Sequence, residues 1–357
     1  MSHPRLENVN IKSVVLLATP RDMQRAVPQT VATLSTVLKG RETIEHILDG
    51  DDPRLLAIVG PCSIHNLEAA EEYARRLKAL SDEIAETIYV VMRVYFEKPR
   101  SVLGWKGLIN DPYMNDTFHI EEGIRMARHF LLRVAEIGLP AATEILDTLM
   151  PQYIGDLMSW SAIGARTSEA QTHREIASGI STPVGFKNAT DGSLSAAVNG
   201  MLSARGPHHF LGVTEDGLPA VFGTTGNPYP HIVLRGGKGP NYDADSIAEC
   251  EAALRAAKLP LNIIVDCSHS NSDKKPERQG VVLKDILAQI ERGNRSIRGF
   301  MLESNLEWGS QPIRDPKDLR PGQSVTDACI DWPTTESLLR EAHARCKTCM
   351  SANARPS

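Results

Sequence analysis

The sequence predicts an α/β fold, a (β/α)8 TIM barrel with an N-terminal extension and an inserted β-hairpin, on three observations. Eight apolar runs of strand length recur along residues 55–303, and most are followed by a segment of helical length. Each run leads to a residue that binds or moves charge. Two neighbouring runs, Ala162-Ile163-Gly164-Ala165 before Arg166 and Val184-Gly185-Phe186 before Lys187, are separated by the span of one parallel crossover. Strands joined in that way point in the same direction. Arg166 and Lys187 therefore emerge at one edge, and an anion belongs between them unless each simply caps its strand in water. A doubly wound open sheet is the alternative. It would want a Gly-rich fingerprint after its first strand, and Gly60-Pro61-Cys62-Ser63 is not one.

In chain order, residues 1–50 lack the later rhythm and read as an N-terminal extension that makes oligomer or regulatory contacts, or as a lid over one end of the body. Within them, residues 9–17 read as a strand, Thr19-Pro20 and Val27-Pro28 as breaks, and residues 30–48 as a helix. The catalytic barrel spans residues 51–345. Its strands centre on Ile58, Val91, Ala142, Ile163, Phe186, Val233, Ile264 and Met301. Helices are expected at 67–82, 121–137, 152–158, 194–204, 245–257 and 281–291. A further helix after Arg166 is opened by Ser168 and Gln171 at capping-box spacing, with Gly179 near its end. Residues 209–213 and 219–223 flank Glu215-Asp216-Gly217, a hairpin signal that places the insertion at about 208–224. Residues 346–357 read as a C-terminal tail, in which Cys346 and Cys349 have metal-knuckle spacing but no second pair and are taken as incidental.

Composition narrows the classes. The chain has 357 residues, 41% hydrophobic and 23% charged, which is ordinary for a globular protein. Its net charge of −5 comes with acids and bases interspersed, which argues against a nucleic-acid or membrane surface. No apolar run approaches the ~20 residues that span a bilayer. The first residues lack the apolar core of a signal peptide, and the six cysteines are scattered rather than framed; both features predict a cytoplasmic protein with reduced thiols.

The residues that end the runs are Cys62, Arg93, Glu144, Arg166, Lys187, Arg235, His269 and Glu303. In a barrel they converge on one mouth. Arg93, Arg166, Lys187 and Arg235, with Lys98, Arg100 and Lys106 in the loop after the second strand, call for a strongly anionic substrate. Cys62, His269 and Glu303, closed by Asp327, form a mixed ligand set suited to one divalent transition metal such as Mn, Fe, Co or Zn. Alternation along the seventh strand turns Cys267 and His269 away from Asp266 and Ser268, leaving Asp266 to rival the ligands or to orient one of them. A nucleophilic Cys62–His269 pair is the competing reading and would make the chain a thiol hydrolase or transferase.

Longer motifs carry a resemblance. Gly60-Pro-Cys-Ser-Ile-His65, Met92-Arg-Val-Tyr-Phe-Glu-Lys-Pro-Arg100, Gly104-Trp-Lys-Gly-Leu-Ile-Asn-Asp-Pro112, Ala162-Ile-Gly-Ala-Arg166, Val184-Gly-Phe-Lys-Asn188, Leu234-Arg-Gly-Gly-Lys238 and Ser324-Val-Thr-Asp-Ala328 closely resemble the class I 3-deoxy-D-arabino-heptulosonate 7-phosphate (DAHP) synthases. The likeness runs from about residue 6 to residue 343. It implies a transferase that condenses phosphoenolpyruvate with erythrose 4-phosphate and releases phosphate, the first step of the shikimate pathway. It implies that Cys62, His269, Glu303 and Asp327 hold the metal, and that Arg93, Ala165, Arg166, Lys187 and Arg235 hold phosphoenolpyruvate. Lys98, Glu144 and His269 become the expected catalytic residues, and Arg100 and Ser101 the binders of the sugar phosphate. Ser101 stands where Thr is usual and keeps the hydroxyl; Ala189 stands where Gly is common. The extension and hairpin resemble the parts of feedback-inhibited members that build subunit contacts, in a homodimer or homotetramer, and a site for an aromatic amino acid. Asn8, Pro151, Gln152, Ser181, Phe210 and Gly212 match that region, and Gly212 resembles tyrosine-sensitive members. Two alternatives stand beside this reading. One is the related synthase that uses arabinose 5-phosphate, against which the Lys98–Ser101 loop argues. The other is a barrel that binds an amino acid without catalysis.

Overall fold

The computed structural model describes residues 6–100 and 102–353, with the backbone alone for residues 349–353. In chain order the strands are β1 (Leu55–Gly60), β2 (Ile88–Arg93), β3 (Ala141–Glu144), β4 (Trp160–Ile163), β5 (Val184–Lys187), β6 (His209–Val213), β7 (Pro219–Gly223), β8 (Pro230–Leu234), β9 (Ile263–Asp266) and β10 (Ile297–Glu303). The helices are α1 (Pro20–Ala26), α2 (Val31–Asp49), α3 (Leu67–Ile84), α4 (Ile120–Ile137), α5 (Met150–Ile154), α6 (Gln171–Gly179), α7 (Ser195–Ala204), α8 (Ala244–Ala256), α9 (Gln279–Glu291) and α10 (Trp332–Asn353). Eight strands close into a parallel barrel in the order β1-β10-β9-β8-β5-β4-β3-β2, while β6 and β7 pair antiparallel as a separate hairpin. The expected (β/α)8 architecture, N-terminal helices and inserted hairpin are all present.

The barrel strands are apolar on both faces because both faces are covered. Their outer residues join the helices in one large cluster that includes Val59, Leu77, Leu131, Phe186 and Leu287. Their inner residues form a second cluster in which Ile58, Val91, Trp160, Val233 and Met301 fill the bore. Ile58 stands level with Met301 on one side and Val91 on the other, so the layers are set by register. Ile44, Ile47 and Leu48 of α2 pack into the same inner cluster, so the extension plugs the end of the bore opposite the strands' carboxyl ends. Gly185 keeps the layer flat: a Cβ there would lie 2.5 Å from the Trp160 ring and 2.7 Å from Val233.

Local signals explain the helix boundaries. Thr30 and Thr33 exchange hydrogen bonds as a capping box on α2, and Asn66 Oδ1 accepts from Ala69 N–H at the start of α3. Two expected features are absent. Residues 9–17 form no strand, and Val14, Val15 and Leu16 are more than 80% exposed. A lone strand has no ladder partner for its backbone within the described chain. Ser168 does not cap a helix either. The Thr167 and Ser168 N–H groups bond back to the Gly164 carbonyl, and this turn delays α6 until Gln171, with Ala170 at the cap position. At the far end α10 continues past residue 346 to Asn353, so Cys346 is a buried residue of a helix. The Cys349 side chain lies outside the described residues. Among the described residues no helix is long and apolar enough to cross a membrane.

Candidate active site

Arg93, Glu144, Lys187, Asp266 and Glu303 are the last residues of β2, β3, β5, β9 and β10, and Arg235 directly follows β8. Cys62 stands two residues beyond β1. Arg166 and His269 stand three residues beyond β4 and β9 rather than on them. Period-two alternation therefore does not reach His269. Its φ of +55° puts it in the left-handed region, and the chain folds back there. The His269 Nδ1 lies 2.9 Å from Asp266 Oδ2 and 2.7 Å from Ser268 Oγ, so these residues share one face, contrary to the expectation from alternation. The other ring nitrogen, Nε2, lies 3.8 Å from Glu303 Oε1. Asp266 is thus the buried anion of this side of the mouth: its Oδ2 also accepts from Lys187 Nζ at 2.8 Å, and its Oδ1 from Ser268 Oγ at 2.8 Å.

On the other side, Cys62 Sγ and carboxylate oxygens of Glu303 and Asp327 all lie within 4.8 Å of one another. The loop after β10 delivers Asp327, pinned by bridges between Ser304 and Ile330, Gly309 and Cys329, and Ser310 and Ser324. Soft sulfur and hard oxygen donors at this separation fit a single divalent transition ion; His269, the expected fourth ligand, is not among these converging atoms, although its Nε2 lies 3.8 Å from Glu303 Oε1. Lys98 Nζ donates to Cys62 Sγ at 3.2 Å and to the Cys62 carbonyl at 3.0 Å. Arg93 Nη2 donates to Glu303 Oε1 at 2.9 Å, a pair that is almost wholly buried.

These contacts set the charges. Burial works to raise the Glu303 carboxyl, but His269, Arg93 and Lys98 hold it down at about 2. Burial likewise opposes ionisation of Asp266, and His269 and Lys187 hold it well below the usual carboxylate range. Burial raises the Cys62 thiol, with Glu303 adding to the effect. The ring nitrogens of His269 face Asp266, Ser268 and Glu303. Lys98 stays above its ordinary value despite burial, because Cys62, Glu303 and Glu144 surround it.

Arg166 is exposed and Arg235 half-buried. Burial lowers Arg235, and the neighbouring Arg166 lowers it further. Among the described residues neither has a carboxylate at ion-pair distance, so the two cations face the mouth together, a setting for a dianion. Ala165 lies beside them, half-buried. Glu144 owes its room to Gly164, where a Cβ would come within 2.3 Å of Glu144 Oε1. In the loop after β2, Lys98 N–H bonds the Lys106 carbonyl and Arg100 Nε donates to the Trp105 carbonyl at 2.8 Å, leaving Arg100 exposed. Ser101 lies outside the described residues. Ala189 keeps a negative φ, so its methyl group brings no backbone strain.

Sequence reasoning gave no role to Glu97. This residue is buried beside Asp147 at the root of the Lys98 loop, and burial, then Asp147, pushes it up to about 8. A Glu between Phe96 and Lys98 carries no sequence signal of such burial.

A separate cavity of about 530 Å³ lies between α5, α6 and the hairpin, and Pro151, Gln152, Ser181, Phe210 and Gly212 line it. Asn8 is exposed and does not line it.

A closed parallel barrel with a cationic, metal-suited mouth defines an enzyme of phosphorylated or carboxylated substrates. The model of the DAHP synthetase I family matches residues 29–340, and the chain belongs to that family. It is 52% identical over 344 residues to the Tyr-sensitive phospho-2-dehydro-3-deoxyheptonate aldolase of Escherichia coli (strain K12), covering 96% of this chain and 97% of that one. The Phe-sensitive counterpart from the same strain is 49% identical over 335 residues, covering 94% of this chain and 96% of that one. The structure of phospho-2-dehydro-3-deoxyheptonate aldolase from Francisella tularensis SCHU S4 superposes with a TM-score of 0.93 at 44% identity, covering 95% of this chain and 99% of that one. Membership makes the chain a DAHP synthase, a transferase at the first step of the shikimate pathway, and places it in a metal-dependent family.

Proposed function

We propose a division of labour at the mouth for the condensation of phosphoenolpyruvate with erythrose 4-phosphate. Arg166 and Arg235, with Ala165 between the strand end and Arg166, take the phosphate of phosphoenolpyruvate, while Arg93 and Lys187 face its carboxylate. The single observation that carries this reading is the pairing of Arg166 with Arg235 without a carboxylate at ion-pair distance among the described residues, beside the converging Cys62, Glu303 and Asp327 atoms. Arg100 and Ser101 take the phosphate of erythrose 4-phosphate.

Cys62, His269, Glu303 and Asp327 hold one divalent ion, Mn, Fe, Co or Zn, and Asp266 orients the His269 ring. Bound there, such an ion supplies Lewis acidity toward the aldehyde carbonyl. The cations hold the methylene carbon of phosphoenolpyruvate against that carbonyl, which is catalysis by positioning. The carbon–carbon bond forms with positive character left at the enol-ether carbon. Glu144 positions the water that adds there, phosphate departs, and Lys98, an ammonium at neutral pH, gives a proton to the new alkoxide.

The test is loss of phosphoenolpyruvate with purified protein and either erythrose 4-phosphate or arabinose 5-phosphate, before and after chelation. The expected result is consumption with erythrose 4-phosphate alone, lost on chelation and restored by a divalent metal. Consumption that survives thorough chelation would remove the metal role, and preference for arabinose 5-phosphate would reassign the substrate.

The cavity lined by Pro151, Gln152, Ser181, Phe210 and Gly212 takes an aromatic amino acid that inhibits the enzyme, with tyrosine as the inhibitor. Stacked Phe210 and Phe222 rings, with centroids 5.8 Å apart, and the absence of a side chain at 212 support this reading. A Cβ at 212 would lie 2.9 Å from the Phe222 ring, so Gly212→Ser is expected to weaken inhibition by tyrosine in a steady-state assay. Stronger inhibition of the wild type by phenylalanine than by tyrosine would overturn the choice of ligand. The protein acts in the cytoplasm as a homodimer or homotetramer, with residues 6–17 and the hairpin in its contacts; their exposed apolar side chains support this.

A further inference from the structure

Two buried polar atoms near the mouth have no hydrogen-bond partner among the described residues: Arg93 Nη1 and the hydroxyl of Tyr95. They belong to side chains in contact. Arg93 Cζ lies 3.6 Å from the centroid of the Tyr95 ring, well inside cation–π range. The other nitrogens of the guanidinium are committed, Nε to the Pro61 carbonyl at 3.1 Å and Nη2 to Glu303 Oε1 at 2.9 Å. Tyr95 stands two residues after Arg93, and the ladder continues between them through Val94 N–H to the Ala142 carbonyl, so both side chains face the bore. The Tyr95 ring belongs to the inner cluster and is 1% exposed. Its carbonyl accepts from Ile64 N–H at 2.9 Å, which fixes the backbone at this position.

Buried donors in a native fold find acceptors, and two orphan donors on stacked side chains call for one ligand between them. Glu144 and Asp266 lie within electrostatic reach of the Tyr95 hydroxyl, but neither accepts from it. Burial, opposed by Arg93, pushes the hydroxyl up, so it remains a donor at any working pH. Lys98 Nζ lies 5.8 Å from the same ring, so the ring also lies beside the second cation of this side of the mouth.

We infer that Tyr95 belongs to the substrate site: its ring braces the Arg93 guanidinium, and its hydroxyl and Arg93 Nη1 donate together to the carboxylate of phosphoenolpyruvate. The inference rests on the condensation reading above and names the group that completes its carboxylate site. A planar carboxylate offers lone pairs to two donors arriving from neighbouring directions. A trapped water, the other candidate acceptor, would satisfy the hydroxyl without linking it to substrate affinity.

The experiment compares the metal-loaded wild type, Tyr95→Phe and Tyr95→Leu by steady-state kinetics and by calorimetric titration with phosphoenolpyruvate. Tyr95→Phe is expected to raise KM and Kd for phosphoenolpyruvate about tenfold, the loss of one hydrogen bond to a charged group, and to leave KM for erythrose 4-phosphate within about twofold. Tyr95→Leu is expected to raise them further, because the brace is lost as well. Wild-type affinity for phosphoenolpyruvate in Tyr95→Phe would overturn the inference, since it would leave the hydroxyl to a water. A parallel rise of both KM values with a lowered Tm would also overturn it, by assigning Tyr95 to packing alone. Tyr95→Phe removes a single oxygen and stays informative even if Tyr95→Leu fails to fold. Absence of turnover in the wild type would count against the condensation, and calorimetry of Tyr95→Phe would then decide Tyr95 by itself.

Discussion

Asp266 accepts from Lys187 and Ser268 and lies against His269, three contacts on one buried carboxylate. Asp266→Asn is expected to weaken metal retention by about 10- to 100-fold, measured by metal titration, because His269 loses the group that fixes its ring. A wild-type affinity in that variant would leave Asp266 as a partner of Lys187 and Ser268 with no part in holding the metal ligand. The second residue of consequence is Glu97. Its carboxyl titrates at about 8 in the folded chain against an ordinary 4.5. The folded state therefore binds the extra proton between those values, and stability falls as pH rises from about 4.5 to about 8. Glu97→Gln is expected to flatten that fall, followed as Tm against pH; an unchanged slope would mean that Glu97 carries none of it. At this scale the sequence disclosed identities better than orientations. Arg93, Lys187 and Glu303 were legible because each closes an apolar run. His269 was legible as chemistry but not as geometry, since β9 stops at Asp266 and nothing in Ser268-His269-Ser270 announces a left-handed turn. Glu97 and Tyr95 were silent, because what sets them apart is burial by residues far along the chain.

Strands and helices were the most legible elements, because a barrel strand covered on both faces is a plain apolar run bounded by loops. The misread elements share a cause. Residues 9–17 have the side chains of a strand without a partner strand within the described chain, and side-chain preference alone does not pair a backbone. Ser168 and Gln171 have the spacing of a cap, but the Gly164 carbonyl captures the N–H groups first. Within β5 the limiting feature is volume. Gly185→Ala would put a methyl group against Trp160 and Val233 in a filled layer, where overpacking costs about 1–3 kcal/mol. A lower denaturant midpoint with unchanged metal affinity is the expected outcome. An unchanged midpoint would show that the Trp160 layer gives way easily.

For the molecule as a whole, the bore is plugged by α2 at one end and carries the charged residues of the mouth at the other, while the hairpin and residues 6–17 stand outside the barrel with apolar side chains exposed. A chain starting at Ala18 is expected to sediment as a smaller species than the full chain; equal sizes would remove residues 6–17 from the subunit contacts. The closure of the barrel has a consequence in time. β1 bonds to β10, its partner from the far end of the barrel, roughly 240 residues later in the chain. A ribosome adding roughly 5–20 residues per second makes that partner tens of seconds after β1. Throughout that interval Leu55-Leu56-Ala57-Ile58-Val59 is a sticky segment with an open edge. The nascent chain must shelter it, by early packing of α2 and β2 or by a chaperone, until the last strand arrives.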